Sequence, residues 1–183
     1  MAEFVVVCGS VRDGREGMKV SEWVVSSLQR RGHEVFLLDP LEYEELLVMR
    51  ERYGFLASPS EKLTLLRDRI VRADGFVAVT AEYNHSFPGS LKNVLDVFGK
   101  ELFGSPFLLV SYSSGGFGGV RAVEQLRPIL NKLGCSSIPE SLAISRVQEV
   151  FGEQGVLVDE TYTDRLAKVL DSLERYAEIM KNE

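Results

Sequence analysis

Three short stretches of this chain combine glycine with hydroxyl, amide and charged side chains, which is the chemistry needed to hold a phosphate-bearing ligand. They are residues 9–19 (GSVRDGREGMK), residues 81–89 (AEYNHSFPG) and residues 111–119 (SYSSGGFGG). Glycine lets a backbone come close to a ligand, while guanidinium groups and free backbone N–H groups bind anions. These stretches are therefore the candidate binding residues, and the rest of the chain must position them.

The first stretch has the composition of a phosphate loop. If a helix begins near Gly17, its free N–H groups and positive dipole end attract phosphate. Ser10 adds a hydroxyl, and Arg12 and Arg15 add forked cations. The stretch has neither the Gly-Lys-Ser/Thr ending of an ATP loop nor the Gly-x-Gly-x-x-Gly of a dinucleotide site. The alternative interpretation is a flexible turn with solvated arginines.

The second stretch can line a flat ring, and the third lets a backbone come very near a ligand. Asn84 tolerates a left-handed backbone, and Tyr83 and Phe87 can pack beside a ring. We expect Glu82 to be a cap or hydrogen-bond anchor rather than an acid catalyst. The third stretch has four glycines within residues 115–119, and its alternative interpretation is a mobile linker.

The elements that position these stretches follow from hydrophobic periodicity. Short apolar runs alternate with longer stretches of helical spacing, and residues 40–59 are ambiguous. Strands are predicted over 3–8, 34–39, 75–80, 106–111 and part of 135–144, and helices over 17–31, 60–73, 88–99, 119–133 and 161–181.

Strands without polar alternation must be covered on both faces, which indicates a parallel sheet between helices. Right-handed crossovers then give an α/β fold, a doubly wound five-stranded parallel sheet with helices on both faces. We expect a single domain over residues 1–183. Ligands bind such sheets beyond the carboxyl ends of the strands. The three stretches follow strands one, three and four, so they should meet at that edge.

Composition and charge exclude several classes of function. The net charge of −6 disfavours a nucleic-acid binder. No apolar run approaches the roughly 18 residues that span a bilayer, and the N-terminus has the pattern of a first strand. We therefore expect a cytoplasmic protein without membrane partners. Cys8 and Cys135 form no metal-binding spacing, so no metal is expected, and Cys8 should be a small buried hydrophobe.

On these motifs the chain resembles the NADPH-dependent FMN reductases, a group that includes quinone, azo-dye and chromate reductases. The matching residues are GSVR at 9–12, EYNHS-x-PG-x-LKN-x-x-D at 82–96, and the glycine-rich stretch after the fourth strand. The match runs in order along nearly the whole chain and implies the flavodoxin-like form of the fold. Ala81 stands where the family usually has Pro.

The resemblance implies that FMN is held by all three stretches. It places the phosphate on Ser10, Arg12, Arg15, Glu16, Gly17 and Met18. It places the isoalloxazine ring along Glu82, Tyr83, Asn84 and His85, and the other ring edge beside Ser113, Ser114, Gly115 and Gly116.

The resemblance also implies hydride transfer from NADPH or NADH, through the flavin, to a quinone, azo compound or other flat acceptor. It implies a homodimer or homotetramer. The flavin carries the chemistry, so no catalytic side chain is required. His85 can donate a hydrogen bond to the flavin or substrate, or cap a backbone group.

Three other functions fit the same fold. A flavodoxin-type electron carrier would bind FMN without turning over a substrate of its own. A phospho-acceptor signalling domain needs an Asp where Thr80 stands, which disfavours it. A nucleotide-binding protein without flavin is the third.

Overall fold

Five parallel strands form one sheet in the computed structural model, which describes residues 1–152 and 154–181. The spatial order of the strands is β2-β1-β3-β4-β5. The chain therefore steps from β1 to one side, and returns to place β3 on the other side. The strands are β1 (Glu3–Cys8), β2 (Glu34–Leu38), β3 (Gly75–Ala81), β4 (Pro106–Tyr112) and β5 (Ser136–Ile144).

Helices cover both faces of this sheet, so the predicted fold class is confirmed. The first and last long helices pack on one face, and three others pack on the opposite face. No helix within the described residues is long and apolar enough to cross a membrane. The helices are α1 (Gly17–Arg30), α2 (Glu44–Leu47), α3 (Glu61–Arg72), α4 (Gly89–Val97), α5 (Val120–Lys132), α6 (Val147–Val150) and α7 (Thr161–Lys181).

The central strands are apolar because they are buried on both faces. Every residue of β3 and of β4 is buried. Alternate residues of each strand face the two cores: Val77 and Val79 lie with α1 and α7, while Phe76 and Ala78 lie with α3, α4 and α5. This two-sided burial is the reason that the strands lack polar alternation.

The predicted boundaries agree with the structure to within a few residues. Ser60 caps α3 as expected, since its Oγ accepts a hydrogen bond from Leu63 N at 3.1 Å. β3 and β4 each run one residue beyond the predicted end. The ambiguous residues 40–59 hold the short helix α2 between two single turns of 3-10 helix.

Candidate functional site

The loops after β1, β3 and β4 meet at the carboxyl edge of the sheet, as the sequence predicts. Gly9 N donates to Val79 O at 2.8 Å, and Ser90 Oγ donates to Gly9 O at 2.6 Å. Glu82 N donates to Tyr112 O at 3.3 Å. The three loops therefore form one continuous surface, at the point where the strand order reverses.

Ser10 holds the loop from β1 to α1, residues 9–16, through contacts of its buried hydroxyl. Ser10 is fully buried, and its Oγ lies 2.6 Å from the Tyr83 hydroxyl oxygen. The same Oγ accepts a hydrogen bond from Arg12 N at 3.4 Å. The Arg12 guanidinium carbon lies 3.6 Å from the centre of the Tyr83 ring. Arg12 makes no ion pair within the described residues, so its charge is available to an anion.

Arg15 lies in the same loop but has a different environment. It pairs with Asp39, at the end of β2, and each side chain is only 12% exposed. Asp39 also caps the following 3-10 turn through Leu41 N, at 3.1 Å. The Nε of Arg15 is buried and has no hydrogen-bond partner within the described residues. Arg15 is therefore anchored with one donor left unused.

The N–H groups in the first turn of α1 are not hydrogen-bonded by a capping side chain. No side chain caps the turn, and it contains no acidic residue. Glu16 precedes it, but Lys19 Nζ lies 3.0 Å from the Glu16 carboxylate. The Glu16 carboxylate is therefore paired with a cation of the same helix, which lessens its repulsion of an anion at this turn.

Gly17 is required at the start of α1 because of a neighbour that the sequence did not reveal. A Cβ built on Gly17 would lie 2.3 Å from the Tyr112 hydroxyl oxygen. That hydroxyl is buried and has no hydrogen-bond partner within the described residues. Burial raises the pKa of Tyr112, so the group stays neutral.

The loop after β3 is a tight turn with two left-handed residues. Tyr83 N donates to Ser86 O at 2.7 Å, and Ser86 N donates to Tyr83 O at 3.0 Å. Asn84 and His85 lie between Tyr83 and Ser86, and their φ values are 51° and 65°. The left-handed backbone expected of Asn84 is confirmed, and that of His85 was missed. Two main-chain bonds hold this turn, so its order does not depend on a Pro at position 81.

Glu82 anchors the turn to the next helix. Its carboxylate accepts hydrogen bonds from Arg121 N at 3.2 Å and from Arg121 Nη1 at 3.1 Å. The Glu82 side chain is 11% exposed. The predicted anchor role is confirmed, because the carboxylate binds the first turn of α5.

The glycine-rich loop after β4 is tied down at both ends. Gly115 O accepts hydrogen bonds from Ser113 Oγ at 3.2 Å and from Arg146 N at 3.0 Å. Gly119 has a φ of 81°, and a Cβ there would lie 2.9 Å from Tyr112 O. These bonds disfavour the alternative of a mobile linker. Residues 114–117 of the loop are exposed, and Gly116 has open space around it.

The sequence profile of the family described as NADPH-dependent FMN reductase matches residues 2–149. The chain belongs to this family. A quinone reductase of Pseudomonas putida is 34% identical to this reductase over 180 residues, covering 88% of this chain and 91% of that one. A quinone reductase of Escherichia coli K12 is 34% identical over 139 residues, covering 73% of this chain and 72% of that one.

Solved structures agree with this assignment. The flavoenzyme NAD(P)H:(acceptor) oxidoreductase FerB of Paracoccus denitrificans has a TM-score of 0.78 and 25% identity, with 98% of this reductase and 99% of that chain covered. A flavodoxin variant of Pseudomonas aeruginosa has a TM-score of 0.57 at 16% identity, which shows the shared fold alone. The prediction of an FMN-dependent oxidoreductase enzyme is confirmed at the level of the family.

The residues at the carboxyl edge of this reductase fit FMN. Three features suit a phosphate: the uncapped turn of α1, and, among the residues that the structure describes, the charge of Arg12 without an ion pair and the Nε of Arg15 without a hydrogen-bond partner. The open backbone at Gly115 and Gly116, where a Cβ would meet nothing within 4 Å, suits the close approach of a flat ring.

Two residues at this edge lie outside the three stretches, and Tyr112 lies inside the third without a predicted role. Asp39 follows β2, Tyr112 ends β4, and Arg146 lies just after β5 with a φ of 46°. The Asp39-Pro40 pair was a signal for a turn at the same sheet edge, and an acidic residue there is a natural partner for a loop arginine. Nothing in the sequence indicated the contact of Tyr112 with Gly17 or marked Arg146.

Proposed function

We propose that this chain is a single-domain enzyme that binds FMN at the three loops, oxidises NAD(P)H and reduces a small flat acceptor such as a quinone or azo compound. When bound, FMN supplies a ring that accepts hydride from the nicotinamide and passes two electrons to the acceptor. The observation that carries the proposal is the uncapped N-terminus of α1, flanked by Arg12 and Arg15, at the strand-order reversal of a family fold.

In this proposal the β1 loop binds the phosphate. The N–H groups of Gly17 and Met18, in the first turn of α1, donate to it, and Arg12 adds a charge-assisted contact. Glu16 contributes through its backbone. The Ser10 hydroxyl supports the shape of the loop through its hydrogen bond with the Tyr83 hydroxyl.

The other two loops form the walls for the flavin ring. The turn with Asn84 and His85 presents backbone groups held by two main-chain bonds. The exposed backbone of residues 113–116 forms the opposite wall, which includes Ser113 and Ser114. Rigid walls bring the ring and a stacked acceptor together at little entropic cost.

Two roles are expected for His85: a hydrogen bond to the flavin or substrate, or a cap on a backbone group. The side chain is exposed at the tip of the turn and makes no hydrogen bond within the described residues. This exposure leaves the imidazole able to donate a hydrogen bond to the flavin or substrate. Turnover of His85→Ala below that of the parent protein would support this contact, and equal turnover would contradict it.

The reductant, assembly and location belong to the same proposal. Relatives carry the name NAD(P)H-dependent FMN reductase, so either nicotinamide cofactor is proposed. The assembly proposed is the homodimer or homotetramer that the resemblance implies. Cys8 and Cys135 are both free and buried, which fits a reducing cytoplasm.

Two measurements test the proposed function. Purified protein should be yellow or should take up added FMN, and a colourless protein that fails to do so contradicts the site. Holoprotein should then oxidise NADPH or NADH when a quinone or azo dye is added. Absence of turnover at micromolar enzyme would support the electron-carrier alternative instead.

A further inference from the structure

The Tyr83 side chain contacts the phosphate loop, although the resemblance places this residue beside the flavin ring. Its hydroxyl oxygen lies 2.6 Å from Ser10 Oγ, which is 73 positions away in the sequence. One face of its ring is covered by the Arg12 guanidinium at 3.6 Å. Both contacts are on the phosphate side of the site, so the side chain joins the second loop to the first.

The position of this side chain is fixed by its own backbone. The paired hydrogen bonds between Tyr83 and Ser86 hold the first residue of the turn in place. The ring is half-buried and packs against the core on the α1 face of the sheet. Tyr83 therefore gives residues 10–12 of the phosphate loop a support on a fixed turn of another loop.

The hydroxyl contact controls the start of the phosphate loop. Ser10 is fully buried, and its Oγ is shared between the Tyr83 hydroxyl and Arg12 N. When Tyr83 donates to Ser10, the serine hydroxyl keeps its own proton for another acceptor. Loss of the tyrosine hydroxyl leaves Ser10 without its strongest partner and loosens the backbone at Arg12.

The ring contact controls the Arg12 side chain. A guanidinium stacked on an aromatic face is held flat, while its N–H groups point outward in the plane. A free arginine loses much rotamer entropy when it binds an anion, and a stacked one has already lost part of it. Arg12 is thus held at the Tyr83 ring before an anion binds.

We propose that Tyr83 is a positioning residue for phosphate recognition, and that it makes the site prefer FMN to riboflavin, which lacks the phosphate. The inference rests on the proposed function, since it assumes that FMN binds at these loops. A residue that only lined the ring would affect both flavins equally. A residue that acts through Ser10 and Arg12 affects FMN alone.

The test measures the affinity of ligand-free protein for FMN and for riboflavin, by quenching of flavin fluorescence. Tyr83→Phe should weaken FMN binding about fivefold, the ratio expected for one neutral hydrogen bond. Tyr83→Leu, which also removes the stacked ring, should weaken it about 30-fold. Riboflavin affinity should stay within about twofold of the parent value in both variants, since each lost contact serves the phosphate.

Two controls make the comparison specific. Tyr53 also makes a hydroxyl contact, to Thr64 at 3.2 Å, and lies near Arg67, but it is outside the three loops. Tyr53→Phe should leave both affinities unchanged. In a Ser10→Ala background, Tyr83→Phe should cause little further loss of FMN affinity, because the two changes remove the same bond.

An equal loss for FMN and riboflavin would show that Tyr83 acts on the ring, and would overturn the inference. Unchanged FMN affinity in Tyr83→Phe and Tyr83→Leu would overturn it as well. If Tyr83→Leu fails to fold, the isosteric Tyr83→Phe still decides. Failure of the parent protein to bind either flavin would overturn the proposed function itself, which is distinguishable because it does not depend on the variants.

Discussion

Arg12 and Arg15 are arginines three positions apart in the same loop, but they have different contacts. Arg15 is paired with Asp39 and nearly buried, so it anchors the loop to the end of β2. Arg12 is exposed, stacked on Tyr83 and without an ion pair in the described part of the chain. At the scale of single residues, Arg12 is therefore the cation that we propose for contact with the FMN phosphate.

Replacing Arg12 tests this difference. Arg12→Ala should weaken FMN binding by about 1–3 kcal/mol, the scale of a charge-assisted hydrogen bond. Titration of the ligand-free protein with FMN measures the loss. Arg175→Ala, at an exposed position of α7, is the control and should bind as the parent does. Equal affinity in Arg12→Ala and the parent would remove Arg12 from the phosphate site.

The buried thiol of Cys135 should make the free energy of unfolding fall as the pH becomes alkaline. Burial raises the pKa of Cys135 from 9.0 to about 11. As pH rises through this interval the unfolded thiol ionises first, so the unfolded state binds fewer protons and stability falls. The urea midpoint should therefore decrease between pH 9 and pH 11, and less so in Cys135→Ala than in Ser136→Ala. Identical slopes in these two variants would contradict this account.

At the scale of elements, α1 and β4 fit together through one glycine and one tyrosine. The Tyr112 hydroxyl occupies the space where a Cβ at position 17 would lie. Without that glycine the ring of Tyr112 and the start of α1 could not both keep their places. The start of α1, which follows β1, is thus positioned by a residue of β4, two strands away from β1 in the sheet.

Gly17→Ala should lower the free energy of unfolding by about 1–3 kcal/mol, because it overpacks this contact. Tyr112→Phe should leave stability unchanged or raise it, since it removes a buried hydroxyl that has no hydrogen-bond partner in the described part of the chain. The double variant should recover part of the loss, and urea unfolding measures all three. The same loss from Gly17→Ala in both backgrounds would show that Tyr112 is not the cause.

Glu82 joins the turn after β3 to the first turn of α5. Its carboxylate lies at the positive end of the helix dipole and pairs with Arg121. Glu82→Gln should lower the free energy of unfolding by about 1 kcal/mol, the typical size of such a contact. Glu124→Gln changes an exposed side chain of the same helix and should have a smaller effect. Equal effects of the two changes would argue against the anchor.

At the scale of the whole molecule, the site belongs to three loops that separate strands hold together. Ligand that binds only the folded chain must therefore stabilise the whole fold. FMN at a hundred times its Kd should raise the free energy of unfolding by about 2.7 kcal/mol. Riboflavin at the same concentration should raise it less, because it makes no phosphate contacts. Urea unfolding with and without each flavin gives the comparison, and no shift with FMN would contradict the site.

Much of the fold was predictable because it depends on local patterns. Buried runs such as those of β3 and β4 are readable as parallel strands, since two-sided burial removes polar alternation. The glycine-rich and charged stretches follow these runs directly. Their meeting at one edge then follows from the geometry of a parallel sheet.

The sequence by itself determined the α/β class, the places of the three loops and, through its motifs, the family. Only the tertiary structure decided which side chains meet: Ser10 with Tyr83, Arg15 with Asp39, and Gly17 with Tyr112. Periodicity reports which face of an element is buried, but it carries no information on strand order or on the reach of a side chain across neighbouring strands. The support beneath the phosphate loop is built from such long-range contacts, and for that reason it became visible only in the folded chain.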